Sequence, residues 1–573
     1  MTKTLTRDSE AGEPLSLVSG PLLRDEPGLG TLTLPGFLRD VTTMYRDREA
    51  LVFPSAETCT HWTYAELWER AVEVARALRA VGVGKDTRVG VLMTNRPEWL
   101  SAFFGISLAG GVAVTLSTFS TVAELEYLLS ASSVAVLLFE RMVLKTDFAG
   151  ALSELVPEIT TTAPGALQSE KLPFLRYLAT VGDSTPGIDS WEDFVRRGRK
   201  VPHEIIRATA ESTRPSDVGV LFFSSGTTSK PKGIFSAHRG VTIQMWRFRR
   251  VCCFEPDDYL RCWSANGYFW SGNFVMSLGA TLAAGGSLVL QSTFDAVAAL
   301  ELMAAERVNY PFAWPHQWAQ IETAPNWLSV DLSSMKFADV KTPIANHPTV
   351  HREWHLPDHA YGNTEMFTIS TIFELNAPRE VHADSWGVPL PGVTVKIVDP
   401  ISQVMLPRGE AGEICVKGPT LMLGYLGIPI DETLDAEGFF HTGDSGHLDE
   451  IGRLYWEGRL TDVIKTGGAN VSPLEVDDAL GKHPDVKVTK TVGLPHPTLG
   501  EIVVACVVPR EGVDLGAEAV REYLRERLAS YKVPRHVLFF RDTDITLTGS
   551  DKIKADQLRD LAISRLSKSA AAQ

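Results

Sequence analysis

The stretch Phe222-Phe223-Ser224-Ser225-Gly226-Thr227-Thr228-Ser229-Lys230-Pro231-Lys232-Gly233 determines how the rest of the chain is interpreted. The apolar run 218–223 leads into it and predicts a buried strand. Small residues let the backbone approach an anion closely, their N–H and O–H groups donate hydrogen bonds, and the lysines supply positive charge. The composition predicts a polyphosphate-binding loop, with a solvent-exposed Ser/Thr/Gly loop as the alternative. It is not a Walker A loop, because Gly-Lys-Ser/Thr does not follow at the right spacing.

The same stretch resembles the phosphate loop of the adenylate-forming superfamily, which includes acyl-CoA synthetases, firefly luciferase and peptide-synthetase adenylation domains. The loop of that family usually reads Ser-Ser/Thr-Gly-Thr-Thr-Gly-x-Pro-Lys-Gly, and Ser229 stands here in place of its last flexible glycine. The resemblance implies that the loop holds the β- and γ-phosphates of ATP. The residues that it assigns to the nucleotide are Ser224, Ser225, Gly226, Thr227, Thr228 and Lys232.

Length, charge and cysteine content narrow the class of protein. A chain of 573 residues is too long for one ordinary core, so two or more domains are expected. The net charge of −15 argues against a protein that binds nucleic acid through charge. The six cysteines show no metal-binding spacing and fit buried or free thiols in a reducing compartment. With no signal peptide and no apolar run long enough to span a bilayer, a cytoplasmic protein is predicted.

Strand and helix patterns alternate along the first part of the chain. Thr63 and Glu66 have the spacing of a capping box at the start of a helix. Strands are predicted over 89–93, 112–116 and 134–139. Such alternation predicts an α/β fold with a mostly parallel sheet and helices on its faces.

Two further segments receive local predictions. The segment 149–214, with scattered Pro, Thr and Gly, is interpreted as surface connections. A helix is predicted over 240–250, and the clustered Arg247, Arg249 and Arg250 are interpreted as its solvent-exposed face.

An aromatic and glycine-rich segment over 261–272 predicts a pocket wall, because glycines let a ligand approach the backbone. The resembling family has its acyl pocket here, often with a histidine three residues before a glycine, and Phe269 takes that place before Gly272. An aromatic residue there suits an apolar acid. The segment 310–316 is predicted to line the same pocket, although a structural role is the more expected one for His316. The assigned pocket residues are Trp263, Asn266, Gly267, Phe269, Trp314 and His316.

The pentapeptide Tyr361-Gly362-Asn363-Thr364-Glu365 is the second strong match to the family, which reads Tyr-Gly-x-Thr-Glu. A tyrosine ring can stack on adenine, a threonine hydroxyl can hold the α-phosphate, and a carboxylate can hold Mg²⁺ that bridges phosphate oxygens. The resemblance therefore assigns Tyr361, Gly362, Asn363 and Thr364 to ATP, Thr364 and Glu365 to catalysis, and Glu365 to Mg²⁺.

Later motifs complete the resemblance. It implies that Asp444, in His441-Thr442-Gly443-Asp444, binds the ribose hydroxyls and that Arg459 reaches ribose and phosphate. Thr461 stands at the position of the family's hinge. Lys552 matches the catalytic lysine of the last motif, and the segment from Lys465 to Gly468 is the one brought to the site for the second half-reaction.

The resemblance covers the chain from about residue 63 to residue 559 and implies its domain organisation. A flexible arm is predicted over 1–30. A large, multi-subdomain adenylate-forming domain with mixed sheets flanked by helices, and with a β-rich subdomain, is predicted over 31–459, where ATP and the carboxylate bind. A small, mobile α+β domain that carries the catalytic lysine is predicted over 460–573.

The implied activity is that of an AMP-forming acid–thiol ligase. Attack of a carboxylate on the α-phosphate of ATP gives an acyl-adenylate and pyrophosphate, and the acyl group then passes to coenzyme A (CoA). The partners are thus ATP, Mg²⁺, CoA and a small carboxylic acid, and the pocket aromatics favour an apolar or aromatic acid. Transfer to a carrier protein or to an amine is the alternative, and a catalytically weakened nucleotide-binding protein is a second one. A homodimer stays open.

Overall fold

The computed structural model describes residues 14–55, 59–224, 231–351, 354–382, 384–460, 464–466, 469–497, 499–528, 532–541, 544 and 555–571. The chain divides into two compact units. The larger unit comprises Ser19–Thr394 and Lys417–Phe440, and the smaller comprises Met1–Val18, Val395–Val416 and His441–Gln573. The predicted boundary at 459/460 stays a prediction. Among the described helices, none combines the length and the apolar character needed to cross a membrane.

The strands and helices are numbered in chain order. The strands are β1 (Leu17–Ser19), β2 (Glu49–Pro54), β3 (Cys59–Thr63), β4 (Arg88–Leu92), β5 (Val112–Thr115), β6 (Val136–Glu140), β7 (Met142–Val143), β8 (Thr146–Asp147), β9 (Tyr177–Val181), β10 (Asp189–Ser190), β11 (Val218–Ser224), β12 (Lys232–Ala237), β13 (Arg261–Ser264), β14 (Ser287–Val289), β15 (Tyr310–Phe312), β16 (Thr371–Ile372), β17 (Val388–Pro389), β18 (Thr394–Val398), β19 (Gly412–Lys417), β20 (Gly424–Tyr425), β21 (Phe440–Leu448), β22 (Leu454–Arg459), β23 (Ile464–Thr466), β24 (Ala469–Val471), β25 (Val486–His496), β26 (Gly500–Pro509) and β27 (His536–Phe539). The helices are α1 (Leu34–Met44), α2 (Tyr64–Ala80), α3 (Pro97–Leu108), α4 (Val122–Ala131), α5 (Phe148–Leu155), α6 (Trp191–Arg197), α7 (His203–Ser212), α8 (His238–Val251), α9 (Ser271–Asn273), α10 (Ala280–Ala283), α11 (Ala296–Ala305), α12 (Pro315–Glu322), α13 (Pro473–Gly481), α14 (Ala517–Arg525) and α15 (Ala555–Ala571).

The larger unit is built on an eight-stranded sheet in the order β10-β9-β6-β4-β5-β11-β12-β20. Strands β10 to β11 of that order are parallel, and β12 and β20 add antiparallel strands at one edge. A parallel sheet is covered on both faces, which explains why its central strands read as continuous apolar runs. The predicted α/β fold is therefore confirmed, and the strand predicted over 218–223 is β11.

Local signals at the start of α2 are also confirmed. The Thr63 hydroxyl accepts a hydrogen bond from Glu66 N at 3.2 Å, and the Glu66 carboxylate accepts one from Thr63 N at 2.7 Å. This capping box satisfies two helix N–H groups that would otherwise lack a partner within the helix.

A second sheet in the larger unit carries the segments predicted to line the acyl pocket. Its strand order is β15-β13-β14-β2-β3, with β15, β13, β14 and β2 parallel and β3 antiparallel. After β13 the chain passes through α9 into a π-helix over Phe274–Gly279. π-Helical turns are rare and occur frequently at functional sites.

Two local predictions are wrong. The segment 149–214 is not only surface connections, because it contains α6, α7 and β9, and β9 pairs with β6 inside the large sheet. The arginines of α8 do not form a solvent-exposed face: Arg247 is fully buried and forms an ion pair with Glu26. Glu26 lies within residues 1–30, for which the sequence predicts a flexible arm, and it is buried in the larger unit. The arm as a whole stays a prediction.

The smaller unit contains two sheets. The first has the order β1-β18-β19-β21-β22, and the second has β24-β23-β26-β25 with β27 paired to β26. The predicted strands over 486–492 and 503–508 are the cores of β25 and β26, which form one long antiparallel hairpin. Val476, Leu480, Val520 and Leu524 from α13 and α14 pack with the apolar residues of this sheet.

Candidate active site

The predicted phosphate loop connects β11 and β12. Ser224 and Lys232 are opposite each other at the end of this antiparallel pair where the loop leaves and rejoins the sheet, so the strands bring the two ends of the loop together. The predicted ligands Ser225, Gly226, Thr227 and Thr228 lie outside the described residues. Directly after the loop, the carbonyl oxygen of Pro231 accepts a hydrogen bond from the hydroxyl of Tyr127 at 3.2 Å. A side chain of α4 therefore anchors the point where the loop rejoins the sheet.

The Tyr361–Glu365 pentapeptide forms a tight turn in which Tyr361 is buried and residues 363–365 are half-buried. Tyr361 is 4% exposed, and its N–H donates to the carbonyl of Thr371. A Cβ at Gly362 would lie 1.9 Å from the carbonyl oxygen of Thr368, so only glycine fits there. The side-chain oxygen of Asn363 accepts a hydrogen bond from Met366 N at 2.9 Å. The glycine is thus required by the chain's own backbone, in addition to any approach of a ligand.

Glu365 and Lys232 both contact one aromatic residue, Tyr425. The hydroxyl of Tyr425 donates a hydrogen bond to Glu365 Oε1 at 2.6 Å, and Lys232 Nζ lies 5.1 Å from the centre of the Tyr425 ring. The main-chain oxygen of Glu365 also accepts a hydrogen bond from Met422 N at 2.7 Å. Thr364 lies half-buried in the same turn. The structure therefore unites the predicted lysine, threonine and carboxylate around Tyr425.

The carboxylate of Glu365 fits a hard divalent cation. Its Oε1 is fixed by a neutral hydrogen-bond donor, while Oε2 makes no hydrogen bond or ion pair to any residue that the structure describes. A carboxylate that is oriented but not neutralised by a basic partner is the type of ligand that Mg²⁺ binds beside phosphate groups.

Tyr425 has no assigned role in the sequence predictions. The signal for it is strand pairing: β20 lies beside β12, with Tyr425 opposite Ile234. This register brings residue 425 next to Lys232, almost two hundred positions away in the chain. Only a prediction of the edge-strand register would have revealed it.

Within the smaller unit, Asp444 and Arg459 are cross-strand partners on β21 and β22. Arg459 Nε lies 3.2 Å from Asp444 Oδ1, and another guanidinium nitrogen donates to the carbonyl of Thr442 at 2.6 Å. The side chain of Asp444 is 8% exposed and that of Arg459 is 44% exposed. Gly443, the residue before Asp444, has a φ of +69°, which favours glycine.

The two predicted catalytic lysines are described to different extents. Lys465 lies on β23, where its backbone pairs with Asn470 of β24. Lys552 lies outside the described residues, as do Thr461 and Asp551. Their predicted roles therefore stay predictions.

Asn266, one of the predicted acyl-pocket residues, belongs to a buried group of amide side chains and hydroxyls. The carbonyl oxygen of Asn266 accepts hydrogen bonds from the side chains of Asn95 and Asn273, both at 2.7 Å. Asn273 Oδ1 in turn accepts from the hydroxyls of Ser264 and Ser277. Sequence analysis missed Asn95, which lies in the loop between β4 and α3 and has no local pattern that marks it.

One donor of this group stays unpaired. Asn266 is 6% exposed, and its Nδ2 makes no hydrogen bond within the described part of the chain. Buried polar groups are normally paired, so an unpaired one needs an explanation. The ring of Phe269 is 5% exposed and packs edge-to-face with Phe119 at 6.0 Å between centres. A Cβ at Gly267 would lie 2.1 Å from the Phe269 ring, which explains the glycine.

The other predicted pocket residues differ in how deeply they are buried. Trp263 is fully buried in the core of the second sheet, with its Nε1 donating to Gln291 at 2.9 Å. Trp314 is 36% exposed and His316 half-buried at the beginning of α12. The side chain of Gln317, one residue on, donates to the carbonyl of Ala265 at 3.4 Å, which connects α12 to the amide-rich segment.

Comparison with known proteins gives a consistent result over nearly the whole chain. The family described as "AMP-binding enzyme" matches residues 38–426, and the family described as "AMP-binding enzyme C-terminal domain" matches residues 475–552. A feruloyl-CoA synthase of an Amycolatopsis species is 31% identical over 528 residues, which cover 89% of this chain and 97% of that protein. The human mitochondrial medium-chain acyl-CoA ligase is 26% identical over 543 residues, 93% of this chain and 88% of that protein.

A solved structure adds a likeness of another kind. The amide bond synthetase McbA of Marinactinospora thermotolerans superposes with a TM-score of 0.70 and 26% sequence identity. The match covers 92% of this chain and 99% of that one. The arrangement of the described elements is therefore that of adenylate-forming enzymes, as the sequence predicts.

Proposed function

Because the chain belongs to the AMP-binding enzyme family, we propose that it is an AMP-forming ligase that activates an apolar or aromatic carboxylic acid with ATP and transfers the acyl group to CoA. The acid–CoA ligase activity rests on the family match over residues 38–426 and on the curated acyl-CoA ligases that align with about nine-tenths of the chain. The class of acid and the roles of individual residues rest on the site.

In the first half-reaction a carboxylate oxygen attacks the α-phosphorus of ATP, and the bond to pyrophosphate breaks. Negative charge accumulates on the phosphate oxygens, so positively charged groups and hydrogen-bond donors supply most of the stabilisation. Lys232 and residues 224–228 would hold the β- and γ-phosphates. Thr364 would hold the α-phosphate, and Lys552 would bridge it to the incoming carboxylate.

The adenosine would be held by three residues. The ring of Tyr361 would stack on adenine. The carboxylate of Asp444 would accept hydrogen bonds from the ribose hydroxyls, and the half-exposed guanidinium of Arg459 would donate to ribose and phosphate oxygens. In the larger unit the backbone of the Tyr361 turn is held by its own hydrogen bonds, so the base would approach a turn whose main chain is already fixed.

The observation that carries this assignment is the position of Glu365. It lies beside Tyr425 and Lys232, with one carboxylate oxygen held and the other available. When bound there, Mg²⁺ would supply positive charge that neutralises the phosphate oxygens while the bond to pyrophosphate breaks. Glu365 would orient this charge, and Tyr425 would orient Glu365.

In the second half-reaction the thiol sulfur of CoA attacks the acyl carbonyl carbon, and the bond to AMP breaks. The segment from Lys465 to Gly468 would take part in this step after a movement of the C-terminal domain. AMP is the leaving group, so no protein nucleophile is needed in either half-reaction.

The surroundings of Asn266 support an acid that is mainly apolar and carries one polar atom. Phe119, Phe269 and Trp270 form an aromatic cluster, and the Phe269 ring lies against Gly267. The adjacent Asn266 has a buried amide N–H that makes no hydrogen bond to the described residues. An aromatic acid with an oxygen substituent on its ring matches this combination, and the feruloyl-CoA synthase relative is named for such a substrate. The human relative is named for a medium-chain acyl group, so aliphatic acids belong in the same test.

Amide formation is the second candidate function. It is favoured by the likeness to the amide bond synthetase McbA, whose whole length the chain matches. The two functions share the adenylate and differ only in the acceptor. An amine would attack the same carbonyl carbon and release the same AMP.

The test measures pyrophosphate release with aliphatic acids and with aromatic acids that have or lack an oxygen substituent on the ring. Each acid is assayed alone, with CoA and with a simple amine, and the acylated product is identified by mass spectrometry. Wild type is compared with Lys552→Ala and Glu365→Gln, and Glu322→Gln, an exposed residue of α12, is the matched control. Loss of one charge-stabilising group should lower the rate by about 10²–10³-fold.

Acyl-CoA formation that depends on both Lys552 and Glu365 is the expected result. Product that appears only with the amine would replace CoA by the second candidate. Release that is equal in wild type and in Glu365→Gln would remove Glu365 from the proposed site. Absence of release with every acid would contradict the ligase itself.

A further inference from the structure

Three side chains with metal-binding atoms meet on one face of the first sheet in the smaller unit. Glu413 and Cys415 are two residues apart on β19, so their side chains point to the same face. His441 is on β21, which is the neighbouring strand. Its Nδ1 lies 2.9 Å from Glu413 Oε2 and 3.3 Å from Cys415 Sγ. The spacing of the six cysteines in the sequence gives no hint of this group, because the group contains only one cysteine and its histidine comes from another strand.

The distances are close to those of a tetrahedral metal site. Around Zn²⁺ with Zn–N and Zn–O distances of about 2.0–2.2 Å and Zn–S of about 2.3 Å, neighbouring ligand atoms lie roughly 3.4–3.6 Å apart. The three donor atoms here all lie within 4.8 Å of one another. The two contacts of His441 Nδ1, at 2.9 Å to Glu413 and 3.3 Å to Cys415, need to lengthen by only about 0.3–0.5 Å to accept the ion.

Burial and the second layer of contacts also suit a metal. Cys415 is fully buried, Glu413 is 10% exposed at its side chain, and His441 is 27% exposed, which leaves an entrance on the imidazole side. The other oxygen of Glu413 accepts a hydrogen bond from Gly443 N at 3.1 Å and so holds the carboxylate in place. Such partners orient metal ligands and contribute strongly to affinity.

The geometry points to a Zn²⁺ site formed by Glu413, Cys415 and His441, with a water molecule or another small donor as fourth ligand. Thiolate, imidazole and carboxylate together favour Zn²⁺ over Mg²⁺ or Ca²⁺, which prefer oxygen ligands. On binding, the Cys415 thiol releases its proton to solvent, and His441 binds as the neutral imidazole through Nδ1 with its proton on Nε2.

The site adjoins the proposed ribose contact. Glu413 holds the backbone N–H of Gly443, and Asp444 follows directly on the same strand. A metal that fixes Glu413 therefore also fixes the backbone that presents Asp444. The site would stabilise this part of the smaller unit and connect metal occupancy with nucleotide binding, without touching the substrates.

The chain contains a second Cys–His–Glu group that serves as an internal control. In the larger unit Cys59 Sγ lies 3.2 Å from Nε2 of His61, and Glu49 Oε2 lies 2.8 Å from Nδ1 of the same ring. The thiol and the carboxylate therefore contact opposite nitrogens and do not converge on one point. Cys59 is also exposed. The same three residue types thus differ in the one feature that metal binding requires.

The experiment titrates Co²⁺ into the full-length protein after treatment with a chelator and without nucleotide. Co²⁺ takes the place of Zn²⁺, and a cobalt–thiolate charge-transfer absorption reports a sulfur ligand. We expect saturation at one ion per chain and displacement by Zn²⁺. Cys415→Ser should abolish the charge-transfer band, and His441→Gln should weaken binding at least tenfold. Cys59→Ser should leave both stoichiometry and band unchanged.

A measurement on the wild type covers the case in which the buried variants do not fold. X-ray absorption of the Zn²⁺-loaded chain should show one sulfur at about 2.3 Å and nitrogen or oxygen ligands at about 2.0–2.2 Å. A first shell without sulfur, a band that survives in Cys415→Ser, or a band that disappears in Cys59→Ser would each overturn the assignment. So would the absence of saturable binding.

Discussion

Two of the carboxylate–guanidinium pairs in the molecule differ in how far the surrounding protein encloses them. In the larger unit, Arg247 donates to both oxygens of Glu26, at 2.9 and 2.7 Å, and neither side chain is exposed. In the smaller unit, Arg459 lies 3.2 Å from one oxygen of Asp444, and the arginine side chain is 44% exposed. The first pair is enclosed by protein, while the second has one open side.

This difference separates a structural pair from a binding pair. A fully buried pair has lost its hydration, so each charge depends on the other, and removal of one partner leaves an uncompensated charge. A half-exposed arginine keeps hydrogen-bonding capacity toward solvent, which a ligand can use instead. The comparison predicts that the closed pair determines stability with little effect on ATP, and that the open pair does the reverse.

The largest effect is expected for Arg247→Met. The variant removes the bidentate partner of the buried Glu26 carboxylate and leaves only Arg250, at 3.1 Å from one oxygen, to compensate its charge. The free energy of unfolding should therefore fall by up to about 3–5 kcal/mol. The KM for ATP of the folded enzyme should not change. Urea denaturation and initial-rate kinetics measure the two quantities.

Arg249→Met is the matched control for that variant. Arg249 is on the same helix, but its partner Glu255 is 71% exposed at 3.4 Å, so the cost should be below about 1 kcal/mol. The double variant Glu26→Gln/Arg247→Met should recover part of the lost stability, since it removes a buried charge that only Arg250 still compensates. Equal losses in Arg247→Met and Arg249→Met would show that closure is not the deciding feature.

His238 extends the comparison to a buried group that is stable only without charge. It is 3% exposed, and its Nδ1 accepts a hydrogen bond from Leu34 N at 3.3 Å. Burial lowers the pKa of His238 from 6.5 to about 4, although the charge of Asp217 opposes this shift and that of Lys85 adds to it. Between these pH values the unfolded chain binds one more proton than the folded chain at this residue.

The contribution of neutral His238 to the free energy of unfolding should therefore be fully present above pH 6.5. It should fall by up to about 3 kcal/mol as the pH decreases to 4, because that free energy corresponds to the difference between the unfolded pKa of 6.5 and the folded pKa of about 4. The check is the dependence of unfolding free energy on pH between 4.5 and 6.5. His238→Asn should flatten the curve relative to wild type, whereas His203→Asn, at an exposed position, should not. Identical slopes for wild type and His238→Asn would contradict a buried neutral imidazole.

Asp444→Asn tests the open pair. Loss of a charged acceptor for the ribose hydroxyls should raise the KM for ATP about 10–100-fold, as expected for hydrogen bonds to a charged group. The unfolding free energy should change by less than about 1 kcal/mol. Asp449→Asn is the control, because Asp449 pairs with Arg453 at 2.6 Å in the same hairpin but closes its turn. A large loss of stability without a change in KM would place Asp444 among the structural pairs.

The two pairs also show what the sequence can reveal. Asp444 and Arg459 lie in short motifs whose order resembles a known family, so their assignment to the same ribose could be predicted, although their pairing on adjacent strands was not. Arg247 has its partner 221 residues away, and three arginines within four positions look like an exposed helix face. No local pattern shows that α8 is covered on nearly all sides.

The range of the interaction explains the other successes and failures. The capping box of α2 and the strand β11 depend on neighbouring residues, and both were predictable. The strand β9 was missed because its five residues are in a segment rich in Pro, Thr and Gly, and its place beside β6 is a tertiary feature. The buried amides of Asn95 and Asn273 were missed for the same reason, since they meet Asn266 only in the fold.

The hydrogen bond between Tyr425 and Glu365 provides the smallest test of the comparison, because the partner of this carboxylate has no charge. Tyr425→Phe removes the hydroxyl at 2.6 Å but retains the ring beside Lys232. Since Glu365 keeps its charge and loses only its orientation, kcat should fall about three- to tenfold, near 1 kcal/mol, with little change in the KM for ATP. In the Glu365→Gln background the same substitution should cost much less, because the two residues act on one interaction. If the effects add instead, Tyr425 acts independently of Glu365, and the neutral pair does not serve the catalytic carboxylate.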